Sequence, residues 1–317
     1  MLLGQYKEHN RWYNVYEMDY IKVSVVIPTY NDSPKLCLEA LAKQTVSKKI
    51  YEVVVVNNAS NKVNIKKITD EFKFVKYLRE SRKGVYYARN TGWRHAKGDI
   101  IAFTDADCIP DHRWIEKIIL YFKDLNHVAM GGSIIKSSPT NWIQRNAKNL
   151  ADGQHEFRYK PFLPNYPYVV AANMVFRKKL LKNLNGFVEK YSSGGDAEFC
   201  WRLQQKGYKL ELFPDAKIFH PARSTIKSYF KQSYNYGVGH PLQFKSYYPH
   251  SIKIFIDFKN IKNLLVNVIY LPFGFVLKNF GFDKNEKFAK SLLEVVRTNA
   301  VIWGRIKGSV KYKVIYI

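Results

Sequence analysis

Asp105 and Asp107 close an apolar run in the stretch DIIAFTDADC (99–108), separated by one alanine. At a strand end, period-two spacing sends both side chains to one side. Paired carboxylate oxygens suit Mg2+ or Mn2+, ions that keep waters and bridge phosphates. The same residues could instead cap the helix that follows Pro110, and a lone D-x-D does not decide between the two. A further acid, Asp196, stands near the start of GGDAEFCWRL. It can take a proton from an attacking hydroxyl or cap the helix it begins. Glu198, two residues on, falls on another helix face and can pair with Arg202 at i+4. His220, in KIFHP, offers an imidazole that binds Mn2+ when neutral, although a lone histidine is as often structural. Arg89 follows Gly84 by five residues on the first turns of a helix. A helix N-terminus plus a guanidinium suits a phosphate. The plain alternative is an exposed surface arginine.

These groups need a frame that brings them together. KVSVVIPTYN (22–31), YEVVVVNNAS (51–60), FVKYLRE (74–80) and DIIAFTDAD (99–107) read as strands. Four consecutive valines imply burial on both faces, as in a parallel sheet. Helices are expected from Pro34 to about Gln44 with Ser33 as N-cap, over 62–72 and over 84–96. This βαβαβαβ order predicts an α/β fold with a doubly wound, mostly parallel sheet. Ligands of such sheets bind at the carboxyl ends of the strands, and PTYND, NNAS and TDADC all fall there. Further along, the pattern predicts a helix to about Lys123, strands over 127–136 and 166–178, and a polar helix over 140–157. A helix over 196–207 ends at Gly207, and extended segments run over 208–221.

Composition bounds the partners. The chain has 317 residues, 46% of them hydrophobic, and 51 Lys and Arg against 26 Asp and Glu, a formal net charge of +25. Such an excess attracts phosphate, whether in nucleic acid, a diphosphate ligand or an anionic membrane. No recognisable nucleic-acid motif accompanies the charge, so a nucleic-acid partner is not expected. Three cysteines, far apart and without C-x-x-C spacing, read as reduced thiols of a cytoplasmic protein. Cys108, beside the two acids, reads as packing. The charged first twenty residues do not read as a signal peptide.

The composition shifts at about residue 222. Residues 201–317 hold 20 Lys and Arg against 6 Asp and Glu, and NLLVNVIYLPFGFVL (263–277) is uncharged throughout. As a helix that run would span about 22 Å, short of a ~30 Å hydrocarbon core, and Pro272 and Gly274 interrupt it. An interfacial segment with basic flanks, in peripheral contact with an anionic membrane, fits it, as does an ordinary core helix.

Taken in order, VSVVIPTYND, EVVVVNNAS, KGVYYARNTGWRHAKGDIIAFTDADC and GGDAEFCWRL closely resemble the family 2 glycosyltransferases of the GT-A fold, inverting enzymes that use nucleotide sugars. The resemblance covers about residues 22–221. It implies a GT-A catalytic domain over 1–221 (core 22–221) and a basic, partly apolar helical extension over 222–317 for acceptor or membrane association. It implies that Pro28, Thr29 and Tyr30 flank the nucleobase, that Asn58 stands at a base-contacting position, and that Arg89 and Asp105 contact the nucleotide. It further implies Asp107 as the main ligand of Mn2+ or Mg2+, His220 as a further metal ligand, and Asp196 as the general base. The implied acceptor is a glycan or lipid-linked precursor at the cytoplasmic face of the cell membrane. Asn57 and Asn58 stand where many members carry acids, and Gly195 replaces a frequent glutamate. Gln232 is followed by Ser-Tyr-Asn-Tyr rather than the Gln-x-x-Arg-Trp pattern of processive synthases, which implies single addition. Two other readings stay open here: a catalytically inactive GT-A-fold binding protein, and a sugar-phosphate nucleotidyltransferase. The latter would need a glycine-rich loop that IPTYNDSP lacks.

Overall fold

The computed structural model describes residues 5–8, 11–14, 22–147, 154, 156–158, 166–248, 254–279, 281 and 286–317. Strands β1 (Gln5–Glu8) and β2 (Arg11–Asn14) form a small antiparallel pair. The alternating half follows, with β3 (Val23–Thr29), α1 (Lys35–Ala42), β4 (Tyr51–Asn57), α2 (Ile65–Asp70), β5 (Val75–Arg79), α3 (Val85–His95) and β6 (Ile100–Phe103). Next come β7 (Ile109–Pro110), α4 (Trp114–Tyr121), β8 (Ala129–Lys136), α5 (Trp142–Asn146), β9 (Met174–Arg177), α6 (Lys178–Asn183), α7 (Gly195–Gln205) and β10 (Glu211–His220). The C-terminal part holds α8 (Ile226–Tyr247), β11 (Ile254–Phe255), α9 (Phe258–Asn279), α10 (Lys287–Tyr312) and β12 (Ile315–Tyr316).

The main sheet runs β5-β4-β3-β6-β9-β8-β10-β7. Strands β5, β4, β3 and β6 are parallel neighbours, β9 runs antiparallel between β6 and β8, β10 is parallel to β8, and β7 closes the edge antiparallel. This is the expected α/β architecture. Period-two alternation fills both faces. Val23, Val25 and Ile27 pack with Leu38, Leu41, Trp114 and Ile118 on one side. Val26, Ile101 and Phe103 pack with Trp93, Phe176, Phe187 and Phe199 on the other.

Four expectations change. The strand expected over 166–178 is only β9, because Ala171–Asn173 form a tight 3-10 turn ahead of it. The polar helix expected over 140–157 is α5 alone among the described residues; 148–153 and 155 lie outside them. Helix α1 begins one residue late, and the Ser33 hydroxyl accepts the Lys35 N–H. Pro272 and Gly274 do not interrupt the apolar run: α9 continues through both for 22 residues, about 33 Å. A proline removes one backbone hydrogen bond, and flanking turns carry the helix past it.

Helices α8 and α10 cross closely. A Cβ on Gly304 would stand 2.1 Å from the Tyr234 carbonyl oxygen, and one on Gly237 would stand 2.3 Å from that of Val301. The backbones therefore touch where these glycines meet. Helix α9 leans on α10 and leaves Phe258, Leu265, Val266, Ile269, Phe273 and Phe275 exposed. Among the described residues it is the helix long and apolar enough to cross a membrane.

Candidate active site

The loop after β3 is fixed by Asn31, held at φ 59° in the left-handed region. Its side-chain oxygen accepts the N–H groups of Asn61 and Lys62 at 2.9 and 2.8 Å, and its own N–H donates to the Ser60 hydroxyl at 2.9 Å. This ties the loops after β3 and β4 together and leaves Tyr30 46% exposed on a cavity wall. Pro28 and Thr29 lie buried behind it, and the Thr29 hydroxyl donates to the Asp32 carbonyl at 2.6 Å.

Asn58 is buried and its amide is committed to backbone. It donates to the carbonyls of Glu80 and Arg82 at 3.3 and 2.7 Å and accepts the Gly84 N–H at 2.8 Å. Its observed work is to hold the 80–84 loop that launches α3, rather than to reach into the cavity. Glu80 reinforces that loop. The Arg82 guanidinium and the Thr91 hydroxyl donate to it, and these bonds hold its carboxyl down at about 2.

A cavity of about 690 Å3 opens over the C-terminal ends of the strands. Tyr30, Arg89, Asp105, Asp196 and His220 line it together, although they are widely separated in sequence. Asp105 and Asp107 lie beyond β6 in a turn rather than on the strand, so period-two geometry does not govern them. They part company. Asp105 pairs with Arg89 at 2.8 Å. That arginine is buried, not exposed as a surface residue would be, and its guanidinium lies 5.4 Å from the Tyr86 ring centroid. Asp107 faces His220 Nε2 at 3.7 Å through one oxygen and Arg223 Nη1 at 3.2 Å through the other.

The ligand atoms of Asp107, Cys108 and His220 lie within 4.8 Å of one another. The buried His220 Nδ1 has no partner among the described residues, and an oxygen-plus-imidazole set suits Mn2+. The residues therefore fit a divalent cation. Burial, then the two neighbouring aspartates, push the Cys108 thiol well above its usual range, which keeps it a neutral packing group.

Across the cavity, Gly194 caps α7 at φ 78°, a conformation that favours glycine. Asp196 follows in the first turn. Its Oδ1 accepts the Ala197 N–H at 2.9 Å and the Tyr86 hydroxyl at 3.4 Å, and its Oδ2 accepts the Ala171 N–H at 3.3 Å. Glu198 is buried on another face and pairs with Arg202 Nε at 2.7 Å, as its i+4 spacing suggests.

Sequence reasoning missed Asp32, Tyr86, Arg223 and Lys231, all of which line the cavity. Desolvation, then the Asp107 charge, raise the Asp32 carboxyl above its usual value. Asp32 was visible in PTYND and Arg223 three residues after His220. Lys231, Asn235, Tyr236 and His240 reach the cavity from α8, so the C-terminal region supplies part of its wall.

Residues 24–184, just over half of the chain, match the model of glycosyl transferase family 2. Glycosyltransferase AglE of Haloferax volcanii is 30% identical over 208 residues, 63% of this chain and 67% of that protein. A Methanococcus voltae protein is 27% identical over 273 residues, 80% of this chain and 78% of its own. It is named dolichyl N-acetyl-alpha-D-glucosaminyl phosphate 3-beta-D-2,3-diacetamido-2,3-dideoxy-beta-D-glucuronosyltransferase. Among solved structures, mannosyltransferase PcManGT from Pyrobaculum calidifontis, in complex with GDP-Man and Mn2+, has the same fold. It matches 91% of this chain and 87% of its own at 19% identity, with a TM-score of 0.58.

Proposed function

From the premise that the chain belongs to glycosyl transferase family 2, we propose that it moves a sugar from a nucleoside-diphosphate sugar to an acceptor hydroxyl, with inversion. The observation that carries this reading is the shared cavity. Asp105, Asp196 at a helix start and several cations line a space of about 690 Å3, enough for a nucleotide sugar, and His220 on its wall faces Asp107.

In this reading Tyr30 flanks the nucleobase, with Pro28, Thr29 and Asn58 shaping the wall behind it. Asp105, steadied by Arg89, meets the nucleotide. Asp107 and His220 hold a divalent cation, Mn2+ or Mg2+, which when bound neutralises charge on the diphosphate leaving group. Asp196 takes the proton of the acceptor hydroxyl as its oxygen bonds to the anomeric carbon. The bond from that carbon to the diphosphate breaks on the opposite face, and the nucleoside diphosphate departs. The charge-separated, oxocarbenium-like transition state gains from cations on one side and the carboxylate on the other.

The acceptor side is formed by α8, and beyond it lies the exposed apolar face of α9. We read residues 1–221 as the catalytic domain and 222–317 as the acceptor and membrane region. A lipid-linked or surface-glycan acceptor fits this layout, and the Methanococcus voltae relative carries a lipid-phosphate acceptor in its name. The exposed apolar side of α9, in a strongly basic C-terminal part, suits peripheral contact with an anionic leaflet on the cytoplasmic side.

The test is a screen of UDP-, GDP- and TDP-sugars with Mn2+ or with chelator, with product stereochemistry read by NMR. Turnover that needs the cation and inverts the anomeric centre supports the proposal. Undiminished turnover in chelator rejects the cation, and retention rejects the single base.

A further inference from the structure

Tyr86 stands in the first turn of α3, far in sequence from α7, yet it meets Asp196 twice. Its hydroxyl accepts the Asp196 N–H at 3.2 Å and donates to Asp196 Oδ1 at 3.4 Å. Its ring is buried, packed 5.6 Å from the Phe187 ring centroid, with the Arg89 guanidinium on it as well. The ring also explains the glycine before the acid. A Cβ on Gly195 would stand 2.8 Å from Cε2 and Cζ of Tyr86, too close for any side chain without moving the ring. Tyrosine at 86 and glycine at 195 are therefore a matched pair.

We propose that Tyr86 is the positioning residue of Asp196, and that Gly195 is small so that the Tyr86 ring can stand there. The inference rests on the reading of Asp196 as base. It also assigns the two carboxylate oxygens. Oδ1 already accepts from Ala197 and Tyr86, whereas Oδ2 accepts only the Ala171 N–H among the described residues. Oδ2 is thus the oxygen that receives the acceptor proton. Burial, then the Asp196 charge, raise the Tyr86 phenol well above its usual value, so it stays a donor at neutral pH.

The test compares Tyr86→Phe, Asp196→Asn and the double variant in release of nucleoside diphosphate from GDP-mannose and from UDP-N-acetylglucosamine with Mn2+. Tyr86→Phe is expected to lower kcat about tenfold, the scale of one hydrogen bond to a charged group, with KM for the donor nearly unchanged. In the Asp196→Asn background it should cost nothing more, because a residue that acts through another is silent once that other is gone. Gly195→Ala, which pushes on the ring, should lower kcat in the same direction; it serves as the second variant if Tyr86→Phe fails to melt cooperatively. Additive losses, an unchanged kcat or a raised KM would overturn the role of Tyr86 alone. An Asp196→Asn variant with full activity would remove the base, and the proposal would fall with that reading; a wild type inactive on both donors moves the comparison to the donor found in the nucleotide-sugar screen.

Discussion

Two isoleucines lie in apolar runs and meet opposite surroundings. Ile101 in β6 is fully buried, with β3 and β9 on either side and aromatic rings across its face. Ile269 in α9 is 75% exposed. Hydrophobic runs differ in meaning by what the rest of the chain sets against them. The central strands β3, β4 and β6 are buried on both faces by the chain itself, and this packing holds the loops that carry the cavity residues. Among the described residues, helix α9 packs mainly on α10 and leaves most of its apolar side chains exposed. In the proposed function, its other side meets lipid, and α8 joins the two regions by lining the cavity while packing on α10.

The sharpest way to break this contrast is to make the same change at both places. Ile101→Ala should cost about 2–5 kcal/mol in urea unfolding, the range for opening a cavity in a packed core. A cost below 1 kcal/mol, on the order of a surface change, would mean the sheet is not packed as described. Next in size is Gly304→Val, whose new Cβ meets the Tyr234 carbonyl. Forced apart, α8 and α10 should lose about 1–3 kcal/mol, and acceptor KM should rise because α8 forms the acceptor side of the cavity.

Glu80→Gln comes third. A carboxyl lowered to about 2 from 4.5 stabilises the fold above pH 4.5, and that contribution fades as pH falls toward 2. The variant should lose on the order of 1 kcal/mol at neutral pH, since Arg82 is largely exposed and the pair is screened. Wild type and variant should converge in acid. A gap that stays constant from pH 7 to pH 2 would contradict the assignment. Smallest is Ile269→Ala, expected to change stability in water by no more than about 0.5 kcal/mol. Ile269→Asp with Phe273→Asp should nonetheless reduce sedimentation with anionic liposomes; equal binding would reject α9 as the membrane surface.

Much of the alternating α/β half was legible in the sequence, because strands buried on both faces leave unbroken runs such as VVVV. Asp196 was legible as a candidate because it begins the helix expected over 196–207 and stands in GGDAEFCWRL, a stretch that carries the family resemblance. Other features were not. The Arg89 pair with Asp105 hides a guanidinium that local sequence paints as exposed. Asp107 meets Arg223 only because β10 returns to the edge of the sheet beside β7. Tyr86 gives no local sign of reaching Asp196, since the contact depends on how α3 and α7 pack. Pro272 looked like a break because propensity counts the lost hydrogen bond and omits the turns around it.

The measurement closest to the central claim sets Mn2+ binding, followed by electron paramagnetic resonance, beside transfer from a nucleotide sugar in Asp107→Ala and Asp196→Ala. Asp107→Ala should lose both the bound cation and transfer. Asp196→Ala should bind Mn2+ as the wild type does and lose about 10²–10⁴-fold in kcat, the range for a missing general base. Full transfer by both variants would contradict the site.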